Sequence, residues 1–109
     1  MTVAELKSRL SLDAVSLPEP DREVTGGYVG DLLSWVMGRA SAGDAWITIM
    51  SNMNVAAVAS LADVSCVIFS EGVMPDENVA ETASQRGINM LCTRLTSYET
   101  AVRLSELLK

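Results

Sequence analysis

Between Asp21 and Asp31 the chain reads Asp-Arg-Glu-Val-Thr-Gly-Gly-Tyr-Val-Gly-Asp, which sets acids, an arginine and a threonine among three glycines. Glycines let the backbone approach a ligand closely, and an arginine or a helix N-terminus is enough to hold one phosphate. Three later turns carry related chemistry. Ser51-Asn52-Met53-Asn54, Ser70-Glu71-Gly72 and Thr93-Arg94 supply small hydroxyls, amides, a carboxylate and an arginine. With Thr25-Gly26-Gly27 they suit the binding of a small anionic or nucleotide-like ligand. The candidate ligand-binding residues are Thr25, Gly26, Gly27, Asp31, Ser51, Asn52, Asn54, Glu71 and Thr93. A structural role is open to each: glycines permit positive φ, Asn52 or Asn54 caps the next helix, and Thr93 satisfies backbone in its turn.

Bond-making chemistry has little support. The chain has no histidine, so the commonest general base is missing and neither Cys66 nor Cys92 has an imidazole to activate it. Asp31, Asp63 and Glu71 show no pairing in sequence, and Gly27-x-x-Gly30 is neither the dinucleotide fingerprint nor a P-loop. The paired acids and late lysine of a receiver-like phosphoacceptor are also missing. The two cysteines fit no zinc spacing and lie in apolar runs. No catalytic residue, metal or cofactor is expected, and the chain is expected not to be an enzyme.

Eight basic residues against fourteen acidic ones give a formal charge of −6. Spread along the sequence without a cluster, the basic residues argue against nucleic acid and against an anionic membrane surface, which both require many charges to be neutralised together. The first residues lack the basic start and apolar block of a signal peptide, and the reduced cysteines suit the cytoplasm.

These turns must be held by elements, and the hydrophobic spacing supplies them. Thr2 and Glu5 form a capping box ahead of Val3, Leu6 and Leu10, which predicts a helix from residue 3 to about 11. Asp13 to Leu17 reads as a first strand, Pro18 and Pro20 force an extended turn, and Glu23-Val24 suggests a short strand. From Asp31 the spacing becomes helical, with Leu32, Leu33, Val36 and Met37 on one face and Trp35 turned away from it. Trp35 is thus the candidate interface residue, with partial cover by its own domain as the other option.

Trp46 to Met50 reads as a strand, Val55 to Ala62 as an uncharged and wholly buried helix, and Cys66 to Phe69 as a second strand. No apolar run approaches the roughly 20 residues of a membrane span. Pro75 with Asp76 and Glu77 opens another helix, stopped by Gly87; Ile88 to Cys92 is the next strand, and Thr96 with Glu99 caps a last helix. Alternating strands and helices predict a three-layer α/β fold: a mostly parallel sheet of about four or five strands with helices on both faces. In such a sheet all four turns should meet at the carboxyl ends of the strands.

The Asp21-Arg22 and Thr25-Gly26-Gly27 pairs, separated by Glu23 and Val24, resemble the sequence that names the DRTGG domain family. So do the Gly26 to Met37 run, the Gly43 to Thr48 strand entry, the Asn54 to Ala59 helix start and the Glu71-Gly72-Val73 turn. The resemblance implies one regulatory domain over residues 1–109, similar in fold to the N-terminal domain of HPr kinase and related to domains beside CBS domains in regulated pyrophosphatases and within some phosphotransacetylases. It also implies a homodimeric, non-catalytic accessory module and adds Arg22 to the ligand-binding set. Stand-alone members look like companions of iron-only hydrogenase and electron-transfer machinery in anaerobic bacteria, which implies a hydrogenase-related partner. Two functions follow as expectations: a sensor of a small anionic ligand, or an assembly module that binds protein without a ligand.

Overall fold

The computed structural model describes every residue from Met1 to Lys109. The elements run α1 (Val3–Leu10), β1 (Asp13–Ser16), β2 (Gly26–Val29), α2 (Leu33–Arg39), β3 (Asp44–Thr48), α3 (Asn54–Ala62), β4 (Cys66–Phe69), α4 (Glu77–Arg86), β5 (Met90–Cys92) and α5 (Ser97–Leu107). The five strands lie in the order β1-β5-β4-β3-β2. Pairing is parallel from β2 through β5, and β1 alone runs antiparallel, against β5. This is the three-layer, mostly parallel α/β architecture that the alternation predicts.

The three central strands are buried along their whole length, as expected of a parallel sheet covered on both faces. Their side chains alternate between two cores. Trp46, Val67, Phe69 and Met90 meet α2, α3 and α4, whereas Ala45, Ile47, Ile68 and Leu91 meet α1 and α5. Trp46 is fully buried, and its indole Nε1 donates to Gly30 O at 2.8 Å, so burial leaves no indole N–H unpaired.

Local signals set the helix ends. Thr2 and Glu5 form the reciprocal capping box, and Ser11 ends α1 in the left-handed region at φ 53°. Gly87 closes α4 in the same region at φ 74°. Thr96 Oγ1 accepts from Glu99 N at 3.1 Å, but Glu99 turns to Arg103 instead of reaching back, so the second predicted capping box is only half made.

Three expectations are corrected. Glu23 forms only an isolated bridge with Thr2, and the strand starts later, at Gly26. Leu32 and Met37, read as inward, are exposed, and Val36 is the buried residue of α2. The charge-free α3 is not buried all round: Leu61 is 72% exposed because only two helical neighbours and one sheet face cover the helix.

Both ends of the chain lie near the amino ends of the parallel strands. Met1 O accepts from Val24 N and the terminal ammonium pairs with Glu23 at 3.0 Å, while Lys109 borders the groove that contains Thr25, Gly26 and Gly27.

Candidate functional site

The sheet has two edges across its strands, and the predicted ligand-binding residues divide between them. Thr25, Gly26 and Gly27 do not follow a strand; Gly26 and Gly27 open β2, in register with Asp44 and Ala45 at the start of β3. Thr25 N donates to Gly43 O at 3.0 Å. Arg22 lies on the same side, where its Nη2 donates to Asp63 O at 3.1 Å and Asp63 Oδ1 at 3.0 Å. These four residues are therefore at the amino edge, away from the other predicted turns.

Close packing explains the two glycines. A Cβ on Gly27 would stand 2.7 Å from Leu104 Cδ2, and one on Gly26 would stand 2.7 Å from Asp44 Oδ1. Neither has positive φ. Beside them, α5 and β2 enclose a groove of about 340 Å³ whose walls include Ile47, Ala101, Leu104 and Leu108, a mainly apolar surface without an arginine.

The carboxyl edge gathers the remaining turns as predicted. Asp31 follows β2, Ser51 to Asn54 follow β3, Ser70 to Gly72 follow β4 and Thr93 follows β5. Several polar groups here are already engaged. Asp31 Oδ1 accepts from Thr48 Oγ1 at 2.8 Å and Ile49 N at 2.9 Å, tying the end of β2 to that of β3. Glu71, in the left-handed region at φ 61°, accepts the Ser97 N–H at 2.8 Å through Oε2, which places its charge at the start of α5. Ser70 Oγ lies 2.6 Å from Ser97 Oγ. Asn52 Oδ1 accepts from Asn54 N at 3.0 Å, and Thr93 Oγ1 accepts from Leu95 N at 3.2 Å.

Unspent capacity remains in two places. Around the start of α3, the Ser51 hydroxyl and Asn54 amide group make no side-chain hydrogen bond, and the helix N-cap residue has no side-chain cap bond. Beyond β5, Arg94 is exposed and unpaired.

Arg94 is accompanied by residues that its sequence neighbours do not announce. The antiparallel pairing of Asp13 with Cys92 brings the start of β1, and with it the end of α1, to the carboxyl edge. A cleft of about 460 Å³ forms there with Arg9, Ser11, Asp13, Thr93, Arg94 and Arg103 in its walls. A smaller cleft of about 190 Å³ shares Asp13, Thr93 and Arg94 and is completed by Gly72, Val73, Met74 and Cys92. Arg9 and Arg103 were missed because they lie in two different helices and meet Arg94 only through the fold.

Cys66 is fully buried, and burial pushes its thiol up to about 12. Burial and the nearby Asp13 carboxylate also raise Cys92. Neither thiol is poised as a thiolate nucleophile. No group of three or more cysteine or carboxylate side chains is arranged to hold a metal ion, and no helix is long and apolar enough to cross a membrane.

Trp35 is 51% exposed on α2, and the Arg39 guanidinium carbon lies 3.6 Å from its ring centroid. Val29, Leu32 and Met37 are also exposed on β2, the loop after it and α2.

No curated protein matches this chain. Among solved structures, it resembles the CBS and DRTGG domains of the regulatory region of a Clostridium perfringens pyrophosphatase, complexed with the activator diadenosine tetraphosphate. The TM-score is 0.73 at 19% identity, over 94% of this chain and 45% of that one. This likeness is one of fold, and the chain spans less than half the length of that structure. In sequence, residues 29–107 match the DRTGG domain. The matched span starts after Asp21–Gly27, so the body from the end of β2 through α5 carries the relationship. On that match over most of its length, the chain belongs to the DRTGG domain family.

Proposed function

We propose that residues 1–109 form one non-catalytic regulatory domain that binds a small anionic or nucleotide-like ligand at the carboxyl edge of its sheet. The observation that carries this reading is the open row of turns at that edge, with unspent hydrogen-bonding capacity at Ser51, Asn54 and Arg94. Asp31 and Glu71 frame the edge through bonds to neighbouring elements, and Asn52 and Thr93 brace their own turns. Membership of the DRTGG family supports a regulatory role, as does the shared fold with a regulatory region whose structure contains a nucleotide activator.

Thermal melts against nucleotides, phosphorylated metabolites, acyl phosphates and divalent metals test the reading. A ligand that binds only the folded state stabilises by about 2.7 kcal/mol at roughly 100 times its Kd. The expected result is a rise in melting temperature that grows with concentration for one anionic class; a flat response from a cooperatively melting protein overturns it.

A second reading rests on the exposed Trp35 face: two copies of the chain associate through α2 and β2, alone or as part of a larger assembly with electron-transfer proteins. Here Trp35, with Leu32 one turn before it, supplies the apolar contact. Sedimentation of wild type and Trp35→Ala tests it. A dimer that dissociates in the variant supports the reading, and a wild-type monomer at every concentration overturns self-association.

A further inference from the structure

Three of the eight basic residues in this acidic chain, Arg9, Arg94 and Arg103, line the single cleft of about 460 Å³ between the end of α1, the start of β1, the loop after β5 and α5. Like charges repel, and folding has brought these together across 94 residues of sequence. Asp13 is the one acidic residue in the cleft wall. Glu99 engages Arg103 at 3.2 Å, which leaves Arg9 and Arg94 without an ion pair. The other arginines with identified partners are spent elsewhere: Arg22 on Asp63 and Arg39 over Trp35.

Two hydroxyls complete the polar wall. Thr93 accepts the Leu95 N–H through Oγ1 and keeps its own hydrogen free to donate; Ser11 makes no side-chain bond. The wall thus offers planar guanidinium forks and small donors, which match phosphate oxygens in shape and charge.

The exposure of the cleft decides how many charges the ligand needs. In surroundings close to water, one exposed ion pair is worth only about 0–1 kcal/mol. A monophosphate that met one guanidinium would bind weakly. A chain of phosphates long enough to touch Arg9 and Arg94 together adds the contacts without paying again for immobilisation. The adjoining cleft, which shares Thr93 and Arg94, offers Val73, Met74 and Cys92 as a mixed apolar wall at one end of such a chain.

We propose that this cleft is a polyphosphate-binding site, in which Arg9, Arg94 and Arg103 hold a di- or triphosphate group, free or attached to a nucleoside. The proposal rests on the reading of an anionic ligand at the carboxyl edge and assigns that ligand a place and a chemical class.

Titration calorimetry near physiological salt, with sodium tripolyphosphate, ATP and AMP as probes, tests it. Tripolyphosphate or ATP should bind saturably, with AMP at least about tenfold weaker, since the site counts phosphates. Arg9→Gln/Arg94→Gln should weaken the bound probe by at least about tenfold, while the charge-matched Arg39→Gln/Arg86→Gln variant should bind as wild type. ATP binding well above tripolyphosphate identifies a nucleotide as the source, and equal binding identifies the inorganic chain. Thermal melts of all three proteins confirm that each is folded. Equal weakening in both double variants, or none in the cleft variant, overturns the site while the anionic-ligand reading survives. If AMP matches ATP, the polyphosphate class falls. If another anion stabilises the protein but neither polyphosphate binds, the cleft assignment falls alone; if no anion acts at all, both fall.

Discussion

Gly27, in β2 opposite Ala45, and Gly43, just before β3 beside Thr25, are glycine for different reasons. Gly27 has ordinary strand backbone, and a methyl there would crowd only the end of the Leu104 side chain, at 2.7 Å. Gly43 has φ +89°, and a methyl would collide with Thr25 Oγ1 as well. Gly27→Ala is therefore expected to cost about 1 kcal/mol, within the usual range for overpacking. Gly43→Ala should cost at least about 2 kcal/mol, because backbone strain and the clash act together. Urea unfolding of the two variants checks the order, and a reversed order would count against these packing roles. Cys66 gives a prediction in pH. Its thiol is raised from 9.0 to about 12 in the fold, so the unfolded chain ionises first and stability falls as pH rises across that window. Urea midpoints of wild type and Cys66→Ala at about pH 8 and about pH 10.5 should diverge, with the variant losing less on the alkaline side.

The elements differ in how plainly the sequence declares them. α1, β4 and α4 follow from a capping box, an apolar run and a Pro-to-Gly frame, all written within a few residues. β2 is different. Its glycines suggest a loop, but Ala45 alongside and Leu104 above demand small residues in a strand, and that demand comes from partners remote in sequence. The carboxyl-edge turns were legible because a parallel sheet fixes where they meet, whereas the arginine cleft depends on the antiparallel β1, whose direction no local pattern states. Asn89 illustrates the same gap. It sits buried just before β5 and accepts from Glu19 N at 2.9 Å while donating to Glu19 O at 2.7 Å and Ser65 O at 2.9 Å. In sequence it is only a polar residue in an apolar run; in the fold it clamps the proline-rich turn to the sheet. Asn89→Ala leaves these partners in need of water and should cost about 2–4 kcal/mol, at the scale of more than one buried unsatisfied group. A loss below about 1 kcal/mol in urea unfolding would mean that the turn is held by other contacts.

At the scale of the whole molecule, a net charge of −6 acts on the two proposed functions in opposite directions. Two copies repel, so raising salt should strengthen association through the apolar α2 face. The same salt screens the arginine cleft and should weaken a polyphosphate. Sedimentation and calorimetry across about 0.05 to 0.5 M salt should therefore show trends of opposite sign, and parallel trends would mean that one of the two surfaces is misassigned. The position of residues 1 and 109 bears on how such a domain is handled. Met1 is pinned to Glu23 and Val24, and Lys109 borders the groove beside Thr25, so both attachment points hang from the same side of the sheet. A fluorescent reporter or a neighbouring domain can be spliced on at either point, or the whole unit inserted into a host loop, with the carboxyl-edge turns left pointing outward like the head of a plug whose two wires leave from the back.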